Sequence, residues 1–260
     1  MKHANNTHHD RRAKVKSGDK RIPCPPLQSE GIETGYKHKS ESYNLDWFAP
    51  EGEQHRIVTG MGSMELVIVD APSGTGKSTT VLWKALLDYK SGLFDRVILI
   101  KTPTEGGDDQ IGFLSGDKNT KLEAHMDAMK SIFWQFMSKG KLENDIKNEN
   151  IVLDIPNYLL GKTFDKSVII LEEAQTMSPN TIKLCAERAG QGSIVVVVGD
   201  SKQRYSVKKR EDGLSDLISK VTYLSGEVLV PKFKHVGYIK MDSSNNMRSS
   251  LSRFITEIYD

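Results

Sequence analysis

Cysteine is scarce in this sequence, with only Cys24 and Cys185 among 260 residues. Their spacing does not match that of a structural zinc site, and so few thiols favour a reducing compartment over a disulfide framework. Long apolar runs are also missing, since no stretch approaches the ~18–20 residues that cross a bilayer. We therefore expect a protein without a membrane partner, located in the cytoplasm of a bacterium or of a virus-infected host cell.

An excess of one charge is missing as well, because 36 Lys and Arg nearly balance 34 Asp and Glu, giving a net charge of +2. The chain as a whole is therefore not an electrostatic attractant for nucleic acid. Basic residues are nevertheless concentrated in 1–22 and 202–210, where they could lie along phosphates or simply form a solvated tail and loop. We predict a flexible basic arm over 1–45 and a single domain over 46–260.

Short apolar runs alternate with segments of helical periodicity along the domain. The apolar runs predict strands at 65–70, 96–101, 151–155, 167–171, 193–199 and 235–240. The periodic segments predict helices at 76–89, 120–138, 179–189, 213–221 and 248–258. Several strands are apolar on both faces, which is typical of a parallel sheet covered on both sides. The predicted class is therefore α/β, with a mostly parallel sheet and helices on both faces.

The first strand is followed by A-P-S-G-T-G-K-S at 71–78. This segment matches the Walker A pattern G-x-x-x-x-G-K-S/T at every position except the first, where Ala71 replaces Gly. Glycines let backbone N–H groups turn inward around a phosphate, and the helix that follows adds its positive end. We predict an ATP site formed by Ser73, Gly74, Thr75, Gly76, Lys77, Ser78 and Thr79. The alternative is a glycine-rich turn that binds nothing.

Within this loop, Lys77 can reach the β- and γ-phosphates, and the hydroxyl of Ser78 can bind Mg²⁺. The strand at 167–171 ends in Glu172 and Glu173, a Walker B arrangement. We assign Glu172 to the magnesium shell and Glu173 to activation of the attacking water. Without a nucleotide, the same two carboxylates would merely mark the end of a strand.

The strand at 193–199 ends in G-D-S-K-Q, which places a polar amide after a third strand. Gln203 is our candidate for sensing the γ-phosphate by hydrogen bonding, and Asp200 is expected to help hold the loop. Alone, this segment predicts only a turn. It gains meaning from its order after the phosphate loop and the acidic pair.

Together these motifs resemble those of the PhoH-like family, relatives of superfamily 1 helicase motor domains with a RecA-like fold. The resemblance runs from about residue 54 to the end of the chain. It also covers three longer segments, KTPTEGGDDQIGFLSGDKNTK at 101–121, PNYLLGKTF at 156–164 and NNMRSSLSRFITEIYD at 245–260. Lys101, Ser115 and Lys162 depart from the family pattern, which has Arg, Pro and Arg there.

The resemblance implies an ATP-hydrolysing protein that couples turnover to single-stranded RNA or DNA. It implies that Gln54 reads adenine, although a surface glutamine is the alternative, and that Thr102 faces nucleic acid. It also implies that Arg248 acts as an arginine finger on a neighbouring subunit, so that the chain forms a homo-oligomer such as a hexamer. Arg188 and Arg204 are further candidates for that role.

Two other functions fit the same phosphate loop. The chain could be a regulatory switch whose nucleotide state controls a protein partner without nucleic acid. It could also be a small-molecule kinase, but the sequence offers no lid with clustered arginines. We predict no nuclease activity, because 1–45 is too short for a nuclease domain and contains no carboxylate cluster.

Overall fold

The computed structural model describes residues 43–103, 118–203, 212–242 and 249–259. Its centre is a six-stranded sheet with the order β3-β2-β4-β5-β1-β8. All five pairings in this sheet are parallel. The strands are β1 (Leu66–Asp70), β2 (Arg96–Lys101), β3 (Ile151–Asp154), β4 (Ser167–Glu172), β5 (Ile194–Gly199) and β8 (Val236–Lys240).

The strands are buried on both faces, as their continuous Val and Ile runs predict. In β1, Val67 and Val69 belong to one core cluster and Ile68 to the other. The first cluster is covered by α1 (Gln54–Ser63), α2 (Lys77–Lys90), α3 (Lys118–Phe133) and α4 (Lys139–Lys147). The second is covered by α5 (Pro179–Ala186) and α6 (Gly213–Val221). The predicted α/β class, with helices on both faces of a parallel sheet, is confirmed.

Three features were not expected from the sequence. Helix α1 was not predicted, and the helix expected over 120–138 ends at Phe133, with α4 beginning separately at Lys139. A two-stranded antiparallel hairpin, β6 (Thr222–Ser225) and β7 (Val228–Pro231), lies outside the main sheet. The last helix, α7 (Ser250–Tyr259), agrees with the prediction to within about two residues.

The segment that precedes α1 is fastened to the domain. Tyr43, Leu45 and Phe48 are buried in the first core cluster. The Tyr43 hydroxyl donates to the buried carboxylate of Asp145 at 2.6 Å, and the Trp83 indole N–H donates to the Leu45 carbonyl at 3.1 Å. Residues 43–45, which the prediction placed in the flexible arm, therefore belong to the domain. Residues 1–42 lie outside the described residues, so a flexible arm over that part stays a prediction.

Strand order decides where the motifs meet. Strand β5 lies between β1, which leads into the phosphate loop, and β4, which ends in the acidic pair. Because all these strands are parallel, their carboxyl ends share one edge of the sheet. This strand order thus brings together three motifs that are far apart in sequence. Among the described residues, no helix is long and apolar enough to cross a membrane.

Candidate functional site

The phosphate loop begins after Asp70 and ends where α2 starts at Lys77. Gly74 has φ of 85° and Gly76 has φ of 76°, in the left-handed region that only glycine adopts at little cost. Gly76 is the residue immediately before the first turn of α2. Ala71 is buried, and its N–H donates to the Gly199 carbonyl at 3.0 Å, so it continues the pairing of β1 with β5. A methyl group therefore fits at the first position of the motif.

Lys77 is folded across the loop. Its ammonium donates to the Pro72 carbonyl at 3.3 Å, and the residue is only 8% exposed. The Thr75 hydroxyl donates to the same carbonyl at 2.9 Å. This arrangement keeps a positive charge inside the turn formed by 72–77, where a phosphate would meet both the ammonium and the N-terminus of α2.

Ser78 and Glu172 meet across the sheet edge although 94 positions separate them. The Ser78 hydroxyl donates to a Glu172 carboxylate oxygen at 2.5 Å. Burial raises the pKa of Glu172, and the charge of Glu173 adds to this effect, whereas the bond from Ser78 and the charges of Lys77 and Lys101 oppose it. A divalent cation at this point would stabilise the ionised carboxylate.

The oxygen pair of Ser78 and Glu172 suits Mg²⁺, which prefers few protein oxygens and completes its octahedron with water and phosphate. The part of the chain that the structure describes contains no group of three or more His, Cys, Asp or Glu side chains able to hold a metal. A magnesium ion here would therefore depend on the nucleotide for its remaining ligands. These residues fit a nucleotide-bound ion rather than a metal cage formed by protein alone.

Glu173 leaves β4 in an unusual conformation. Its φ of 54° and ψ of 45° are left-handed, which is uncommon for a residue with a side chain. A short 3₁₀ turn, Ala174–Thr176, follows directly. The Gln175 amide donates to a Glu173 carboxylate oxygen at 2.7 Å, and the Thr176 hydroxyl donates to the Glu173 carbonyl at 2.7 Å. The Glu173 carboxylate thus has a hydrogen-bond partner different from that of its buried neighbour Glu172.

The loop after β5 packs against this turn. The Asp200 N–H donates to the Gln175 side-chain carbonyl at 3.2 Å. Asp200 also accepts from the Lys202 N–H at 3.0 Å through its carboxylate and from the Gln203 N–H at 3.1 Å through its backbone carbonyl. These bonds form a tight turn that carries Gln203, half-buried, at the end of the strand between the phosphate loop and the acidic pair.

Gln54 is the first residue of α1 and is buried, so the surface alternative does not describe it. Its amide donates to the Thr75 carbonyl at 3.0 Å, and its side-chain carbonyl accepts from the Glu51 N–H at 3.0 Å. The side chain therefore contacts the phosphate loop itself. Recognition of adenine by Gln54 stays a prediction.

Not all of the residues expected from the sequence can be placed at the site. Arg248, Arg204 and most of the 101–121 segment lie outside the described residues. Arg188 lies at the opposite edge of the sheet, where its guanidinium donates to the carbonyls of Leu184 at 3.1 Å and Lys162 at 3.2 Å. Thr102 follows β2, and its buried hydroxyl has no hydrogen-bond partner within the described chain.

Asp70, for which the sequence predicted no role, is the last residue of β1 and lies between β5 and β8. The residue is 3% exposed, and its carboxylate accepts from the Ser201 N–H at 2.9 Å and the Ser201 hydroxyl at 2.8 Å. It also accepts from the Tyr238 hydroxyl at 3.1 Å and the Lys240 ammonium at 3.3 Å. Burial and the neighbouring Asp70 raise the pKa of Tyr238. The only sequence signal was an acid closing an apolar run.

A phosphate loop after β1, paired carboxylates after β4 and an interposed β5 define a P-loop NTPase fold. The sequence model of the PhoH-like protein family matches residues 49–260. The chain therefore belongs to the PhoH-like family, and the resemblance seen in its motifs is confirmed.

Similar proteins come from several bacteria. The PhoH-like protein of Bacillus subtilis strain 168 is 27% identical over 207 residues, covering 80% of this chain and 62% of that protein. The PhoH-like protein of Synechocystis is 23% identical over 80% of this chain and 60% of its own length. Protein PhoH of Escherichia coli K12 is 24% identical over 79% of this chain and 56% of its own. This chain thus spans about three fifths of the length of these relatives.

Among solved structures, the Hef helicase domain of Pyrococcus furiosus is similar with a TM-score of 0.43 and 13% identity, covering 77% of this chain and 40% of that one. The large terminase of a thermophilic bacteriophage, in complex with ADP, gives a TM-score of 0.42 and 10% identity, covering 79% of this chain and 48% of that one. Similarities at this level say nothing about the activity of the present chain.

Proposed function

We propose that this protein binds ATP with Mg²⁺ and hydrolyses it. The observation that carries the proposal is the contact of Ser78 with Glu172 at 2.5 Å, with Lys77 and Glu173 beside it at one edge of the sheet. This arrangement supplies a cation for the phosphates, two oxygens for the metal and one further carboxylate for a water. These are the parts that hydrolysis of a nucleoside triphosphate requires.

In this proposal the residues have distinct tasks. The N–H groups of 73–79 surround the β-phosphate, and Lys77 neutralises charge on the β- and γ-phosphates. Ser78 and Glu172 would hold Mg²⁺, and the ion would supply Lewis-acid polarisation of the γ-phosphate. Glu173 accepts the proton of the attacking water, and Gln203 contacts the γ-phosphate. Gln54, which already bonds the loop at Thr75, would sit beside the adenine.

We further propose that turnover is coupled to single-stranded RNA or DNA. The support is the order of the motifs and the basic cluster at 202–210, which begins at Lys202 within the turn held by Asp200. Nucleic acid bound to these cations would lie next to the loop that carries Gln203 and could change its position. Binding driven by phosphate contacts weakens as salt rises, because counterions are released.

The decisive experiment measures ATP turnover alone, with poly-U and with single-stranded DNA, at low salt and at increasing salt. We expect turnover that both strands stimulate and that salt reduces. The Glu173→Gln variant, purified in the same way, controls for contaminating ATPases. Turnover that no single strand changes at low salt would remove the coupling to nucleic acid but leave the ATPase standing.

Self-association is part of the proposal. Leu251, Phe254, Ile255 and Ile258 lie at helical spacing on α7 and are 67%, 55%, 44% and 56% exposed. A contiguous exposed apolar stripe of this kind is typical of an interaction surface. A second copy of the chain would cover it, and Arg248, just before α7, could then reach a neighbouring phosphate site as an arginine finger. The complex would act in the cytoplasm, where ATP is available.

A nucleotide-dependent switch for a protein partner is the second candidate, and the exposed hairpin favours it. Tyr223, Leu224 and Val228 are 50%, 67% and 64% exposed on β6 and β7. If this surface binds another protein, a nuclease-treated pull-down with Glu173→Gln should recover that protein with ATP and not with ADP. Recovery in both states, or in neither, would count against the switch.

A further inference from the structure

The loop 199–203, which consists of the last residue of β5 and the four residues that follow, is held from two sides. On one side the Gln175 side-chain carbonyl accepts from the Asp200 N–H at 3.2 Å. On the other side the Asp70 carboxylate accepts from both the N–H and the hydroxyl of Ser201, at 2.9 Å and 2.8 Å. Two consecutive residues of one loop are therefore bonded to two different motifs.

Each of these partners also adjoins a motif of the candidate nucleotide site. Asp70 is the last residue before the phosphate loop, and it pairs in register with Gly199 of β5 and Lys240 of β8. Gln175 donates its amide to Glu173 at 2.7 Å, so one side chain bonds both the acidic pair and the loop. A displacement of 199–203 would therefore shift Glu173 through its bond to Gln175. It would shift the start of the phosphate loop through Asp70.

The packing around the loop leaves little space for it to take another position. A Cβ atom built on Gly199 would lie 2.5 Å from the Gln175 side-chain oxygen and 2.8 Å from a Leu214 methyl carbon. Asp70 is 3% exposed, and a buried carboxylate is costly to leave without donors. The bonds to Ser201 help to satisfy it, and the ammonium of Lys240, on a side chain that is 54% exposed, contributes a partly solvated fourth contact.

We propose that Asp70 and Gln175 are positioning residues that clamp the loop 199–203 between the phosphate loop and the acidic pair, so that Glu173 and Gln203 are oriented together for hydrolysis. This inference rests on the proposed ATPase function. Neither residue touches the reacting atoms. Their loss should therefore lower turnover and leave nucleotide binding intact, because an interaction that matters only in the transition state changes kcat rather than affinity.

The test compares Gln175→Met, Asp70→Asn and, as a matched control, Lys240→Met. Gln175→Met keeps the length of the side chain and removes both of its hydrogen bonds, whereas Lys240→Met removes a contact to Asp70 but leaves Ser201 in place. We expect kcat to fall by about 10- to 100-fold in the first two, with the affinity for a non-hydrolysable ATP analogue changed by less than about threefold. Lys240→Met should keep kcat within about twofold of wild type.

The double variant Asp70→Asn/Gln175→Met gives a second readout. Because both changes release the same loop, their effects on kcat should fall clearly short of the product of the single effects. Effects that multiply in full would overturn the shared clamp. A kcat equal to wild type in Gln175→Met, or a loss confined to affinity, would also overturn it.

Folding is checked by thermal unfolding of each variant. If Asp70→Asn does not fold, Gln175→Met still decides the proposal, because Gln175 is only half-buried in a surface turn. Failure of the inference is separable from failure of the proposed function. A wild-type chain without ATP turnover overturns both, whereas turnover that is equal in wild type and Gln175→Met overturns the clamp alone.

Discussion

Glu172 and Glu173 are neighbours in sequence, yet the backbone gives their carboxylates different surroundings. Glu172 is 4% exposed at the end of β4 and bonds Ser78, whereas Glu173 turns into the left-handed region and bonds Gln175. Two carboxylates that are separated in this way can take different roles, one on the metal and one on the water. At the scale of single residues, this division is what the proposed chemistry depends on.

Replacing Lys77 by Ala should remove the cation that the phosphate loop encloses. Hydrogen bonds to charged groups contribute about 1.5–3 kcal/mol each, so we expect ATP affinity to fall about 10-fold or more. Calorimetric titration with a non-hydrolysable analogue and Mg²⁺ measures this. Lys90→Ala, at the other end of the same helix, should bind like wild type. Equal affinity in Lys77→Ala and Lys90→Ala would contradict the loop's role.

Glu173→Gln should separate binding from hydrolysis. The amide keeps the size of the side chain but cannot accept a proton from water, so kcat should fall by about 10²–10⁴-fold while nucleotide affinity is retained. The readouts are release of phosphate and analogue binding. Glu187→Gln, a change at an exposed position that follows α5, should leave both unchanged. Wild-type turnover in Glu173→Gln would show that another group activates the water.

At the scale of elements, the fit between sequence and structure follows the strength of the local pattern. The strands of the main sheet and α2 were predicted to within about one residue, because apolar runs and the phosphate-loop glycines are local signals. Helix α1 was missed, since its sequence QHRIVTGMGS contains two glycines and buries only a narrow face through Ile57 and Met61. The β6–β7 hairpin was missed because both strands are short and only Thr222 among their residues is fully buried.

The same distinction holds for the site. Lys77, Ser78 and the acidic pair belong to motifs with a fixed local spacing, so the sequence alone identified them as candidate site residues. Asp70 and Gln175 act through contacts that span long separations, such as the 131 positions between Asp70 and Ser201, and a linear pattern does not reveal those. A buried polar group becomes visible only when its partners are known.

Gly199, at the end of β5, packs against α6 and the turn after β4, and it yields a prediction at this scale. A methyl group there would overlap the Gln175 oxygen and a Leu214 methyl, so Gly199→Ala should destabilise the domain by about 1–3 kcal/mol. Urea unfolding measures the change. Gly140→Ala in α4, where an added Cβ meets nothing within 4 Å, should be neutral or slightly stabilising. Equal stabilities of Gly199→Ala and Gly140→Ala would mean that the side chains around Gly199 move aside at little cost.

At the scale of the whole molecule, the apolar stripe of α7 is exposed in a single chain, and such exposure is typical of an interaction surface. Four aliphatic and aromatic side chains on one helix remain largely exposed, at 44% or more. If copies of the chain assemble through this stripe, Phe254→Glu should reduce the mass measured by light scattering in the presence of ATP, because a buried unpaired charge is costly. Leu93→Glu is the control, since it alters an apolar residue of similar exposure, 57%, in the turn between α2 and β2.

Assembly and catalysis should then be linked. An arginine finger acts on a neighbour's nucleotide. Arg248→Ala chains keep an intact phosphate site, and Lys77→Ala chains keep the arginine. A mixture of the two variants should therefore recover part of the turnover that each variant lacks alone. Adding Phe254→Glu to both partners should abolish that recovery, because the chains no longer meet. Recovery that survives Phe254→Glu would move the interface away from α7, and an absence of recovery in assembled mixtures would remove Arg248 from the neighbouring site.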